Sequence, residues 1–118
     1  MAGYYSLIQY MPDPSRCEGV NFGIMLLEKD TGMFRWILTR PTRRIQQVFP
    51  GVPSDILNDL ITAFYNRLCA ESISDLDGFT GFVLNRGGVV QCTEPVWVNF
   101  PTGHLEVTLH NLLEQLVL

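Results

Sequence analysis

The stretch VNFGIMLLEKDTGMFRWILT, residues 20–39, decides the fold. Its first part, Val20 to Leu27, is apolar at nearly every position, which is typical of a strand buried on both faces. A short loop with Gly32 near its end follows, and the segment from Met33 to Thr39 then places the apolar side chains at 34, 36 and 38 on one face. This pattern predicts a β-hairpin whose strongly apolar face requires a covering layer of helices.

Shorter patterns on either side indicate an α+β fold. The segment of residues 4–10 is short and rich in aromatic residues, which favours a strand that ends at the prolines that follow it. Helices are predicted from Pro41 to about residue 49, over residues 54–68 with Ser54 as the cap, and from residue 103 onward. The expected architecture is a small antiparallel sheet of about four strands, three consecutive and one late, with three or four helices, in a single globular domain over residues 1–118.

The helix over residues 54–68 carries apolar residues at the i, i+3, i+4 spacing of one buried stripe. The predicted stripe comprises Ile56, Leu57, Leu60, Ile61, Phe64 and Leu68.

Residues 74–93 allow two interpretations. Gly78 and Gly81 each weaken a helix by about 1 kcal/mol relative to alanine, whereas the Gly87-Gly88 pair suits the turn of a hairpin between residues 82–86 and 89–93. Local chemistry therefore slightly favours the hairpin over a helix. Both interpretations place a strand over residues 89–93.

The balance of charge limits the kinds of partner. Twelve acidic and eight basic residues give a net charge of −4, which disfavours nucleic acid because such binding depends on neutralising phosphates. Charged residues make up 17% of the chain, against roughly a quarter in typical domains. We therefore expect a sparsely charged surface that a protein partner or a second copy of the chain covers in part.

Metal, cofactor and membrane chemistry have little support in the sequence. Cys17, Cys69 and Cys92 are widely spaced, which predicts neither a disulfide framework nor a metal site. His104 and His110 are six residues apart, which places them on different sides of a helix, whereas a metal pair would lie at i and i+4. No cofactor is predicted. The start of the chain lacks a secretory signal, and no apolar run approaches the ~20 residues of a membrane span. We expect a cytoplasmic protein with reduced thiols and no contact with a membrane.

Two polar clusters are candidate binding sites. The loop over residues 12–21 carries Asp13, Arg16, Glu18 and Asn21, which can form a network that locks the connection between two strands or a small recognition site. Asn21 is expected to share a face of its strand with Gly23, where a ligand can approach the backbone closely.

The second cluster lies at a junction between a strand and a helix. Arg40, Arg43 and Arg44 suit a phosphate or an acidic protein surface, and the alternative is a solvated basic turn. Trp97, in the short run PVWVNF at residues 95–100, is a candidate for an apolar interface.

Residues 4–24, YYSLIQYMPDPSRCEGVNFGI, carry a Tyr-Ser strand followed by Pro-Asp-Pro-x-Arg-x-Glu and Val-Asn-x-Gly. This signature resembles that of a small bacterial family, domain of unknown function 3037 (DUF3037). The resemblance implies a bacterial cytoplasmic protein and favours helix for residues 75–86. Genes of the family often lie beside those of kinases similar to the toxin HipA, which suggests such a kinase as a partner.

Three functions follow as hypotheses. The first is a non-enzymatic accessory module that binds a protein, with a HipA-like kinase as the suspected partner. The second is a nucleic-acid or nucleotide-phosphate binding protein that uses the arginines at 40, 43 and 44. The third is an enzyme that uses Asp13 and Glu18, which the absence of a histidine or a phosphate loop beside them disfavours.

Overall fold

The computed structural model of the protein describes residues 2–13, 18–84 and 88–118. Strands and helices follow one another as β1 (Ala2–Asp13), β2 (Glu18–Glu28), β3 (Phe34–Leu38), α1 (Pro41–Val48), α2 (Ser54–Ala70), α3 (Leu76–Leu84), β4 (Val90–Cys92), β5 (Val96–Asn99) and α4 (Leu105–Leu116). The α+β class and the antiparallel sheet with packed helices are confirmed.

Five antiparallel strands form one sheet, in the order β3-β2-β1-β4, with β5 also pairing with β1. The predicted hairpin is the pair β2 and β3. β1 is long enough to pair with β4 through residues 8–10 and with β5 through residues 2–5. The short strands β4 and β5 therefore lie end to end along the same side of β1.

Helices cover both faces of the sheet. One apolar cluster joins it to α1, α2 and α3, and the other joins it to α4. Met25 and Leu27 of β2 belong to the first cluster, whereas Ile24 and Leu26 belong to the second. The prediction that this strand is buried on both faces is confirmed.

A bulge interrupts the alternation of β2. Ile8 of β1 lies opposite Gly23, but the next residue, Gln9, lies opposite Asn21, so Phe22 is the extra residue. The bulge sends Asn21 toward α4 and Gly23 toward the opposite face. The expectation that these two residues share a face is wrong for this reason.

The hairpin predicted over residues 82–93 is wrong, because residues 76–84 form α3. Phe79, Phe82 and Val83 are buried at the i, i+3, i+4 spacing of a helix face, and their burial outweighs the glycine penalty. The carboxylate of Asp75 accepts the N–H of Gly78 at 2.7 Å and so satisfies a free donor in the first turn. The late strand is real but shorter than expected, since β4 covers residues 90–92.

Helix α2 differs from prediction in two details. Ser54 is the first helical residue rather than the cap, which is Pro53, and its hydroxyl accepts a hydrogen bond from Gln46 at 2.8 Å. Ile56 is 53% exposed, so the buried stripe begins at Leu57. No helix among the described residues is long and apolar enough to cross a membrane.

Candidate binding sites

The junction between β3 and α1 positions the three arginines of the predicted basic cluster. Pro41 starts α1, where its fixed φ suits the first turn. Arg40, just before it, has φ 41° and ψ 56°, and within the described ranges no other residue except glycine has a positive φ. This left-handed conformation costs a side-chain-bearing residue energy, and such strain is common at functional sites.

Arg44 is engaged inside the fold. Its Nε donates to the carbonyl oxygen of Asn21 at 3.0 Å, and an Nη donates to that of Val117. Asn21 in turn donates through Nδ2 to the carbonyl of Leu116 at 3.2 Å and accepts from Gln9 Nε2 at 2.7 Å. We call these four bonds the Asn21–Arg44 network.

The network joins β1, β2, α1 and the C-terminal end of α4. The last carbonyls of a helix lack intrahelical partners and carry partial negative charge, and α4 has no basic residue of its own in its last turn. Arg44 supplies the cation from α1, and Asn21 satisfies a neighbouring carbonyl. Both were predicted as binding residues, and both contribute to holding the sheet and helices together.

Arg40 and Arg43 have a different environment. Both are exposed, and neither side chain makes a hydrogen bond or ion pair with any residue that the structure describes. With Arg44 they line a cavity of about 380 Å³, which we call the basic pocket; Thr39, Gln47 and Leu118 complete its walls. No described aspartate or glutamate lines this pocket.

The loop cluster is only partly within the described structure. Arg16 and the side chain of Asp13 lie outside the described residues, whereas Glu18 is exposed at the start of β2 and pairs in register with the backbone of Asp13. Asn21 is brought to the arginine cluster through Arg44. A catalytic role for Asp13 and Glu18 stays a prediction.

A second candidate surface surrounds β5, which the sequence pattern did not reveal as a strand. Trp97 is 48% exposed, stands edge-on to Tyr4 with ring centroids 5.1 Å apart, and lies 5.6 Å from Lys29 Nζ. Tyr4 also lines a mostly apolar groove of about 320 Å³ between α3 and residues 94–95, whose polar lining residues are Thr80 and Glu94. We call the continuous apolar area of Tyr4, Leu76, Leu84, Pro95 and Trp97 the β5 surface.

The β5 surface follows from topology more than from any single motif. β5 pairs with β1 on one side, so its other side is an edge of the sheet among the described strands. Trp97 is 48% exposed on the same face as Tyr4, whereas Val96 is 44% exposed on the opposite face. Trp97 alone was noted from sequence, because Leu76 and Leu84 join the surface only once residues 76–84 form a helix.

Within the described ranges, no three His, Cys, Asp or Glu residues are grouped to hold a metal ion. Both histidines are exposed.

A family model described as "Protein of unknown function (DUF3037)" matches residues 5–117. The chain belongs to this family. The resemblance stated for residues 4–24 is thereby confirmed at the level of the family, and the match extends through α4. Neither a curated protein nor a solved structure matches the chain.

Proposed function

We propose that this DUF3037 protein is a non-enzymatic accessory module that binds a protein partner through the β5 surface. The observation that supports this most is the half-exposed Trp97 at a sheet edge, next to an apolar groove. Tryptophan is among the residues most enriched at the energetic centres of protein interfaces, because it buries a large area and carries a polar N–H.

Two features of the β5 surface suit an extended segment of a partner. A free sheet edge offers backbone N–H and C=O groups to a further strand, and alternate side chains of that strand can enter pockets beside the edge. The groove lined by Tyr4, Leu76 and Leu84 lies beside β5 and can take such side chains. Natural edge strands usually carry charges or prolines that prevent pairing. Val96, Trp97 and Val98 present none of these. Pro95 lies just before β5, and Lys29 lies beside Trp97.

The candidate partner is a HipA-like kinase. It is suggested because genes of the DUF3037 family often lie beside those of such kinases. The low content of charged residues in this chain agrees with a surface that a protein covers. The enzyme hypothesis has less support, because neither a histidine nor a phosphate-binding loop accompanies Asp13 and Glu18 in the sequence.

The test is co-expression of the chain with the HipA-like kinase of the same bacterium, followed by size-exclusion chromatography and calorimetry. We expect one co-eluting complex. Trp97→Ser should weaken it by at least about thirtyfold, since interface hot spots contribute about 2 kcal/mol or more.

Val107→Ser is the matched control, because Val107 is 61% exposed on α4 and lies outside the β5 surface. It should leave the affinity unchanged. Circular dichroism of each variant must show an intact fold. Separate elution of the two wild-type proteins at micromolar concentration, or equal weakening by both variants, would contradict the proposal. A wild-type dimer that Trp97→Ser converts to monomer would instead assign the β5 surface to a second copy of the chain.

A further inference from the structure

We propose that the basic pocket binds the phosphate group of a small phosphate monoester. This inference does not rest on the proposed protein partner, because the basic pocket and the β5 surface share no residue. The pocket's volume, about 380 Å³, lies within the range of small-molecule sites, roughly 300–1,000 Å³.

The walls of the pocket offer hydrogen-bond donors that the fold does not use. A guanidinium has five N–H donors. Arg44 commits two of them to carbonyl oxygens, and these bonds fix the orientation of its planar group. Arg40 and Arg43 commit none to the described residues, and neither do the hydroxyl of Thr39 or the amide of Gln47. The pocket thus combines one positioned guanidinium with two that are available in full.

Charge selects phosphate over a carboxylate. Arg44 already offsets the partial negative charge at the C-terminal end of α4, and no described acidic side chain lines the pocket, so the charges of Arg40 and Arg43 are available to a bound anion. A phosphate monoester carries about −1.5 to −2 charges at pH 7 and three acceptor oxygens, whereas a carboxylate carries one charge on two oxygens. Guanidinium groups match phosphate oxygens in bidentate geometry.

The distribution of the other basic residues argues against a polynucleotide. A nucleic-acid site needs cations along the track of several phosphates. Elsewhere in the described chain, Arg35 lies 3.5 Å from Glu106, Arg67 lies over the rings of Phe64 and Phe82, and Lys29 lies near Trp97. These cations are committed to local contacts and do not extend the basic pocket.

The backbone of Arg40 provides a variant that removes a guanidinium without strain. Glycine adopts a φ of 41° at no steric cost, so Arg40→Gly keeps the turn into α1 and relieves the left-handed conformation. Arg43→Gln removes the second guanidinium from an exposed helical position. Arg35→Gln is the matched control, since it removes the same charge from β3, outside the pocket.

The experiment is isothermal titration and thermal shift with inorganic phosphate, phenyl phosphate, acetate and a single-stranded oligonucleotide, at low ionic strength. We expect phosphate and phenyl phosphate to bind and to raise the melting temperature of the wild type, and acetate to do neither. Arg40→Gly and Arg43→Gln should each weaken phosphate binding by about tenfold, as the loss of charge-assisted hydrogen bonds implies. Arg35→Gln should bind as the wild type does.

Three outcomes would overturn the inference. Failure of the wild type to bind either phosphate at millimolar concentration removes the site. If Arg35→Gln weakens phosphate binding as much as the pocket variants do, the binding depends on the overall charge of the protein and not on the pocket. Oligonucleotide binding that depends steeply on salt and exceeds that of phenyl phosphate assigns the arginines to a nucleic acid instead. Because Arg40→Gly is not expected to disturb the fold, its loss of binding cannot be attributed to unfolding.

Discussion

Replacing Arg44 with methionine should destabilise the fold severely. The substitution keeps most of the aliphatic stem but removes two charge-assisted hydrogen bonds, to the carbonyls of Asn21 and Val117. Such bonds contribute about 1.5–3 kcal/mol each, and the lower end applies here because the residue is only half-buried. We therefore expect a loss of about 3 kcal/mol, out of a total stability that is typically about 5–15 kcal/mol.

Urea denaturation followed by circular dichroism measures this loss as a lower midpoint with an unchanged slope. In a thermal melt, about 4 °C per kcal/mol for a chain of this size gives a fall of about 12 °C. The control is Arg43→Met. Arg43 is next to Arg44 in the chain, but its guanidinium is exposed and makes no bond to the described residues. It should stay within about 0.5 kcal/mol of the wild type. A loss below about 1 kcal/mol for Arg44→Met, or equal losses for both variants, would refute the structural role of the Asn21–Arg44 network.

Three further predictions concern single positions. Arg40→Gly should raise the free energy of unfolding by about 0.5 kcal/mol. The relief of about 1–2 kcal/mol of left-handed strain exceeds the cost of the conformational entropy that glycine adds to the unfolded chain. A fall in the thermal midpoint would contradict this. Gly23→Ala should cost about 1–3 kcal/mol in urea denaturation, because the added Cβ would lie 2.8 Å from the carbonyl oxygen of Ile37. The pKa of the Tyr65 phenol is raised above its ordinary value. The causes are first a hydrogen bond with Cys69, then the negative charge of that residue's thiolate, and last burial. In Cys69→Ala, ultraviolet titration should show this phenol ionising at lower pH, and an unmoved curve would count against the contact.

The hairpin and the final helix could be predicted because a single pattern determines each of them. The segment from Val20 to Thr39 is apolar on both faces and then alternates, and no helical period fits it. The leucines of α4 repeat at helical spacing, and Leu105, Leu109 and Leu113 are buried as that spacing requires. In both cases local preference and burial agree, which is when sequence patterns are most informative.

Local sequence patterns did not predict helix α3 or strand β5, because tertiary contacts determine both. The family resemblance did favour helix for residues 75–86, and α3 confirms it. Two glycines give α3 poor intrinsic propensity, but Phe79 and Phe82 gain more from burial against the sheet than the glycines cost. The i, i+3 spacing of these two phenylalanines is the sequence signal that favours the helix. β5 is four residues long and mostly exposed, so its pairing with β1 follows from the length of β1 rather than from its own composition.

Candidate site residues were easier to find than to interpret. The sequence singles out the three arginines as one cluster, but it gives no means of telling Arg43 from Arg44. Their difference arises from one helical step of about 100°, which turns Arg44 toward α4 and leaves Arg43 exposed. Asn21 acquires its partners from residues 12 and 95 positions away in the chain, and no local pattern reports such contacts.

The basic pocket and the β5 surface lie at opposite corners of the sheet. The pocket adjoins the end of β3 and the start of β2, where Asn21 pairs with Gln9, whereas Trp97 pairs with Tyr4 near the start of β1. Five residues along β1 and three strand spacings across the sheet separate these corners by about 20 Å. Sites more than about 10 Å apart usually contribute independently, so Arg43→Gln should leave partner binding unchanged and Trp97→Ser should leave phosphate binding unchanged. Were phosphate to tighten partner binding, thermodynamic reciprocity would require the partner to tighten phosphate binding by the same factor. That result would mean that the sheet transmits an energetic coupling between the basic pocket and the β5 surface, although they are too far apart for direct contact.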